Sequence, residues 1–171
     1  MSEAAGTPHL KLEMLSQARL LSAARSMVGN FAQRLGFNEV ECGQISLAVD
    51  EAICNVINHG YEKSEEGRIW LSVWGLDGDA AGVRVLIEDE ARQVEPGQIK
   101  SRDLDDVRPG GLGVFIIHEI MDEVQYAKRK QGGMQLNMVK YVGSRKASEV
   151  PAGQEATPQT SPKEKGDPDH A

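Results

Sequence analysis

Glu51 and Asn55 stand four positions apart in a stretch with helical periodicity, so a carboxylate and an amide oxygen project from one helix face. Oxygen ligands of this kind suit Mg²⁺, which keeps several waters and is completed by nucleotide phosphates; the alternative is an ordinary solvated helix face. Asp89 closes the run Val83-Arg84-Val85-Leu86-Ile87-Glu88, where a buried carboxylate can accept from an amino group of a base. It can equally be a turn aspartate at a strand end. Gly110, Gly111, Leu112 and Gly113 precede an apolar helical segment, and glycines there allow close backbone approach and aim N–H groups at a bound phosphate. A plain loop-to-helix joint has the same composition. Arg108, just before them, is either a phosphate contact or a solvated loop arginine.

These groups need a frame. Residues 9–14 alternate polar and apolar, which predicts a first strand with Leu10, Leu12 and Met14 inward. From Ser16 the spacing changes to three and four through Leu20, Ala24, Val28, Phe31 and Leu35. That predicts a helix of about five turns, N-capped by Ser16 and stopped by Gly36. A second helix runs from near Asn38 to His59 on a stripe of Ile45, Ala48, Val49, Ala52 and Ile53, and Gly60 ends it. Residues 68–74 and 82–89 form a hairpin around Asp77-Gly78-Asp79, and residues 90–111 a polar loop long enough to be functional. A short apolar helix over 112–121 and a last hairpin, 123–130 with 134–142 around Gly132-Gly133, complete the pattern. The order strand, helix, helix, strand, strand, loop, helix, strand, strand predicts an α+β two-layer sandwich. Its helices lie on one face of a mixed, mostly antiparallel sheet.

At 171 residues and 40% hydrophobic content the chain is read as one domain, residues 9–142. Residues 1–8 are a loose start, and residues 143–171, nearly devoid of apolar side chains, a disordered tail. A net charge of −7 opposes direct binding to nucleic acid. The sequence has neither an apolar run of ~20 residues nor a signal-peptide layout, which predicts no membrane span and a cytoplasmic protein. Cys42 and Cys54 share the second helix about 18 Å apart, too far for a disulfide, and read as small half-buried core residues.

The combination resembles a known family, the RsbW-type anti-sigma factor serine kinases within the GHKL ATPases of Bergerat fold, over residues 9–142. Residues 47–61, Leu-Ala-Val-Asp-Glu-Ala-Ile-Cys-Asn-Val-Ile-Asn-His-Gly-Tyr, are similar to its E-A-x-x-N-x-x-x-H-[AG]-Y box. The resemblance makes Glu51 the general base and Asn55 the Mg²⁺ ligand, with His59 and Tyr61 structural. Residues 88–96 are similar to the D-x-G-x-x-F-D-P segment, with Asp89 reading the adenine of ATP. Ala91, Val94 and Glu95 stand there for the family's glycine, phenylalanine and aspartate, so a methyl at 91 crowds the base or bars a positive φ. Residues 110–124 are very close to the G-x-G-L-x-x-x-x-x-[LI]-M-D-E-V stretch. Asn137 stands where related ATPases often have a threonine near the adenine, and its amide is expected to hold a bridging water there. The resemblance implies a kinase that phosphorylates a serine of a STAS-domain anti-sigma factor antagonist and binds a sigma factor or similar regulator, and it leaves open whether the chain forms the homodimers common among such proteins. A different class remains open, an ATP-binding module with weak or no phosphoryl transfer that acts by protein binding alone.

Overall fold

A computed structural model describes residues 6–99 and 112–144. Chain order is β1 (Leu10–Leu15), α1 (Leu21–Arg34), α2 (Glu39–Asn55), β2 (Arg68–Leu76), β3 (Gly82–Asp89), α3 (Leu112–Ile120), β4 (Glu123–Lys128) and β5 (Met134–Tyr141). The strands form one five-stranded sheet ordered β1-β2-β3-β5-β4. All pairings among the described residues are antiparallel, so the parallel part of the expected mixed sheet is missing from them.

Period-two alternation decides which face is buried. Register aligns Leu12, Leu71, Ile87, Leu136 and Tyr126 in one row across the sheet, and Leu10, Val73, Val85, Met138 and Val124 in the next. These rows pack in a single core with Ala24, Val28 and Ala32 of α1, Ile45, Val49 and Ile53 of α2, and Ile117 of α3. The three helices therefore cover one face, the expected two-layer sandwich. On the opposite face the Arg84 and Arg129 guanidiniums stack over the rings of Trp74 and Trp70, 4.9 and 5.0 Å from the ring centres.

Helix boundaries follow from local chemistry in one case and not in another. Asn38 caps α2 by a reciprocal box, in which its Oδ1 accepts from Glu41 N and Glu41 Oε2 accepts from Asn38 N, both at 2.9 Å. Such a cap stabilises by about 1 kcal/mol. Ser16, by contrast, is not the N-cap of α1. It is 1% exposed, its hydroxyl donates to Ser64 O at 2.5 Å and accepts from Gly67 N at 2.9 Å, and so it ties the end of β1 to the approach to β2. α1 starts only at Leu21, after a 3₁₀ turn, without a side-chain cap, and its 14 residues make about four turns instead of five.

The ends are more tied down than the composition implies. Trp74 Nε1 donates to Gly6 O at 2.6 Å, inside the segment read as loose. Ser144, assigned to the tail, donates its hydroxyl to Asp122 Oδ2 at 2.5 Å, so order extends past residue 142. The rest of the tail, 145–171, lies outside the described residues, as do residues 1–5.

Candidate functional site

α2 carries the first part of the site. After Asn55 its hydrogen bonding widens into a π turn, Val56–Gly60, an arrangement frequent at functional sites, and Tyr61 N donates to Val56 O at 2.9 Å. Glu51 and Asn55 face the start of α3. A Cβ built on Gly113 would lie 2.5 Å from Glu51 Oε2 and 3.5 Å from both polar atoms of the Asn55 amide. A side chain there would push the Glu51 carboxylate aside, so α3 begins directly against the carboxylate and amide that the sequence singles out. Leu112, beside it, is 55% exposed. The expected contributions of Arg108, Gly110 and Gly111 lie outside the described residues.

β3 supplies the second part. Asp89 is 4% exposed, and its Oδ1 accepts from Ala91 N at 2.9 Å and Met134 N at 3.1 Å. Oδ2 has no hydrogen-bond partner among the described residues. Burial pushes the carboxyl above the ordinary range, against the two amide hydrogen bonds and the nearby Arg129 charge, which pull it down. The strand end is clamped from several sides. Tyr61 Oη donates to Arg68 O at 2.6 Å and accepts from Glu90 N at 2.8 Å, which bears out a structural role for Tyr61. Arg129 Nη1 donates to Asp89 O, while its Nε pairs with Glu88 at 3.1 Å. Gly133, at φ +79°, turns β4 into β5 with its bare Cα against the Asp89 carbonyl, where a Cβ would collide with backbone. The carboxylate is thus held by backbone amides of two segments, and the main-chain carbonyl of the same residue by Arg129 and Gly133.

Between these parts lies a cavity of about 310 Å³. Asn55, His59 and Gly60 line one side, Asp89 and Ala91 another, with Ile87, Met134 and Leu136 of the sheet beneath. Its size falls at the lower end of small-molecule sites, and its apolar floor with a few polar groups is the usual composition of one. Ala91 is 8% exposed and is not among the positive-φ residues, so the methyl requires no strained backbone. It rests instead on Gly60, where a Cβ would come within 2.9 Å of the Ala91 Cβ.

Asn137 requires a correction. Its Oδ1 accepts from Arg84 Nε at 2.6 Å, and it pairs in register with Leu86 on the helix-free face, away from the cavity. The alternation of Met134, Leu136 and Met138 inward already forces Asn137 outward. Sequence reasoning missed most of the cavity lining, Arg92 and Tyr126 among it. Arg92 contributes a cation to the lining. Tyr126 also lines it, with its hydroxyl buried and without a hydrogen-bond partner; period-two counting from Val124 would have found it.

No cluster of three or more His, Cys, Asp or Glu suited to a metal occurs among the described residues. Mg²⁺ completed by phosphates and water needs only one or two protein oxygens, and the Asn55 amide lining the cavity can supply one. No helix among the described residues is long and apolar enough to cross a membrane.

Comparison with known proteins gives the same outline. The sequence profile of the histidine kinase-like ATPase domain matches residues 14–140. A serine-protein kinase RsbW of Oceanobacillus iheyensis is 27% identical over 142 residues, covering 78% of this chain and 87% of its own. An anti-sigma F factor of a Thermoanaerobacter species is 31% identical over 145 residues, covering 82% and 98%. Among solved structures, the RsbU and RsbW domains of a Mycobacterium tuberculosis protein superpose with a TM-score of 0.51 at 17% identity, over 78% of this chain and 33% of that longer one, a likeness of fold.

Proposed function

The chain belongs to the histidine kinase-like ATPase domains, and we propose that within them it is an anti-sigma factor serine-protein kinase that transfers the γ-phosphoryl group of ATP to a serine of a STAS-domain antagonist. In this reading it also binds a sigma factor or similar regulator, works as a homodimer in the cytoplasm and makes no direct contact with nucleic acid. The observation that carries it is convergence. Three stretches far apart in sequence, holding Asn55, Asp89 and Val114, line one cavity, and Glu51 stands one turn before Asn55 against Gly113. The relatives named as RsbW kinases and anti-sigma F factors support the same reading.

The residues divide the work by position. Asp89 accepts from the amino group of the base, with one oxygen already fixed by the Ala91 and Met134 amides. Asn55 offers its amide oxygen to Mg²⁺, which when bound neutralises phosphate charge. Glu51, one turn earlier and beside Gly113, takes the proton of the incoming serine hydroxyl as its oxygen bonds to the γ-phosphorus and the bond to ADP breaks. Gly110 and Gly111 with the N–H groups at the start of α3, and Arg108, complete the phosphate contacts in this proposal.

Glu51→Gln tests it. The amide keeps the shape and cannot act as the base, so transfer to the cognate STAS protein falls by about 10²- to 10⁴-fold while ATP affinity stays close to wild type. Transfer at the wild-type rate removes Glu51 from its role. Tight ATP binding by a wild type that phosphorylates no cognate STAS protein replaces the kinase with the binding module.

A further inference from the structure

We infer that Tyr126 is a base-recognition residue, its hydroxyl donating a hydrogen bond to a ring nitrogen of the nucleotide whose amino group Asp89 accepts. The inference rests on the nucleotide reading of the cavity and adds to it a residue on a different strand. Tyr126 lies at the β4 end of the row Leu12, Leu71, Ile87, Leu136, on the helix-covered face. Asp89 lies two residues beyond Ile87 on β3, and β5 runs between them. The two polar side chains are therefore set at opposite sides of a floor made by Leu136 and Met134, two strand spacings across and two residues along, or about 12 Å apart at the backbone. A planar base over that floor, with a hydrogen bond at each edge, spans a gap of this size.

The hydroxyl itself points to a ligand. It is buried and makes no hydrogen bond among the described residues, although buried phenols nearly always find a partner. The Tyr126 side chain lines the cavity that also holds the partly satisfied Asp89 carboxylate. Burial raises the phenol to about 12, so it stays a protonated donor throughout the neutral range. Asp89 supplies an acceptor and Tyr126 a donor, the complement of an aminopurine with an amino group on one edge and an unprotonated ring nitrogen on another. The group expected to serve the base from β5, Asn137, is turned to the far side of the sheet and bound to Arg84. The donor comes from the neighbouring strand instead.

Tyr126→Phe removes only the oxygen. The full chain and the variant are titrated with Mg·ATP and with a set of deaza-adenosine triphosphates, each with one ring nitrogen replaced by C–H. Wild type is expected to lose about three- to tenfold affinity for one analogue, and Tyr126→Phe to bind ATP that much more weakly and no longer distinguish it from that analogue. Without nucleotide, the variant should melt at or above the wild-type temperature, because it discards a buried hydroxyl with no partner. Equal affinity of both proteins for ATP, with unchanged analogue ratios, overturns the assignment, and so does a lower melting temperature with those ratios intact. Asp89→Asn serves as the control. If it weakens ATP binding and Tyr126→Phe does not, only the tyrosine assignment fails; if wild type does not bind Mg·ATP, the nucleotide reading itself falls.

Discussion

Two aspartates, Asp89, buried at one end of the sheet, and Asp122, half-buried near the other, sit in opposite electrostatic states. Asp122 follows α3 and is fully engaged: Oδ1 faces Lys140 Nζ at 3.1 Å, and Oδ2 accepts from Tyr141 N at 2.8 Å and from the Ser144 hydroxyl. Burial alone would raise its carboxyl, but the Ser144, Tyr141 and Lys140 hydrogen bonds outweigh burial and hold it below the ordinary range. Asp89 has burial without enough compensation and is shifted upward. One aspartate is spent on holding β4, β5 and the end of the chain together. The other keeps an oxygen free beside a cavity, the pattern expected where stability is traded for binding.

The largest effect should come from breaking the satisfied end. Asp122→Ala leaves Lys140, whose side chain is 6% exposed, without its counter-charge, and losing one partner of a buried pair costs about 3–5 kcal/mol. Urea unfolding should show that loss, and adding Lys140→Met should recover part of it because no buried charge is then left unpaired. A loss below about 1 kcal/mol, the range of exposed pairs, would put Asp122 and Lys140 in solvent contact and end the contrast.

Replacing the carboxylate at the other end should separate stability from binding. Asp89→Asn keeps an oxygen for the Ala91 and Met134 amides and removes a desolvated charge, so stability at neutral pH should hold or rise. Affinity for ATP should fall by about tenfold or more, since hydrogen bonds to charged groups contribute about 1.5–3 kcal/mol. Acid titration of stability sharpens the comparison through opposite signs. The contribution of Asp122 is fully present above its unfolded pKa of about 3.9 and vanishes as pH falls through its lower folded value. That of Asp89 is fully present below about 3.9 and is lost as pH rises through its raised folded value. Asp122→Asn should flatten the acid side of the stability curve, and Asp89→Asn should steepen it. Parallel curves for both variants would contradict the opposed shifts.

Local patterns made most of this frame legible. The α2 stripe and the two hairpins with their glycine turns follow from spacing and turn chemistry, and so all the strands and helices arise in the expected order. Failures came where a distant partner outbids a local role. Ser16 has the chemistry of an N-cap and is used by Ser64 and Gly67 instead, more than forty positions away. Asn137 and Tyr126 are failures of another kind: alternation along β5 and β4 states which face each occupies, and motif position overrode it for the first and passed over the second. The meeting of Gly113 with Glu51 and Asn55 was not readable, because only the packing of α3 on α2 creates it.

The smallest expected effect concerns the wall of the cavity beside Asp89. Ala91 adds a methyl where the resemblance expects none, and the fold makes room for it by having no side chain at Gly60. The Gly60 position has ordinary backbone angles, so a substitution there meets packing and not strain: a Cβ would lie 2.9 Å from that of Ala91, which has no flexible end to swing away. Gly60→Ala should therefore destabilise by about 1–2 kcal/mol, within the range for overpacking a filled site. Ala91→Gly alone should cost less than that, because it opens a small gap against the cavity. Together the two changes move one methyl from β3's end to the π turn, and the double variant should be more stable than Gly60→Ala by a coupling of about 1 kcal/mol. Thermal melts of the four proteins measure the cycle. Additive single effects would show that the methyl at 91 does not rest on Gly60 and that this wall, unlike the clamp on Asp89, has slack.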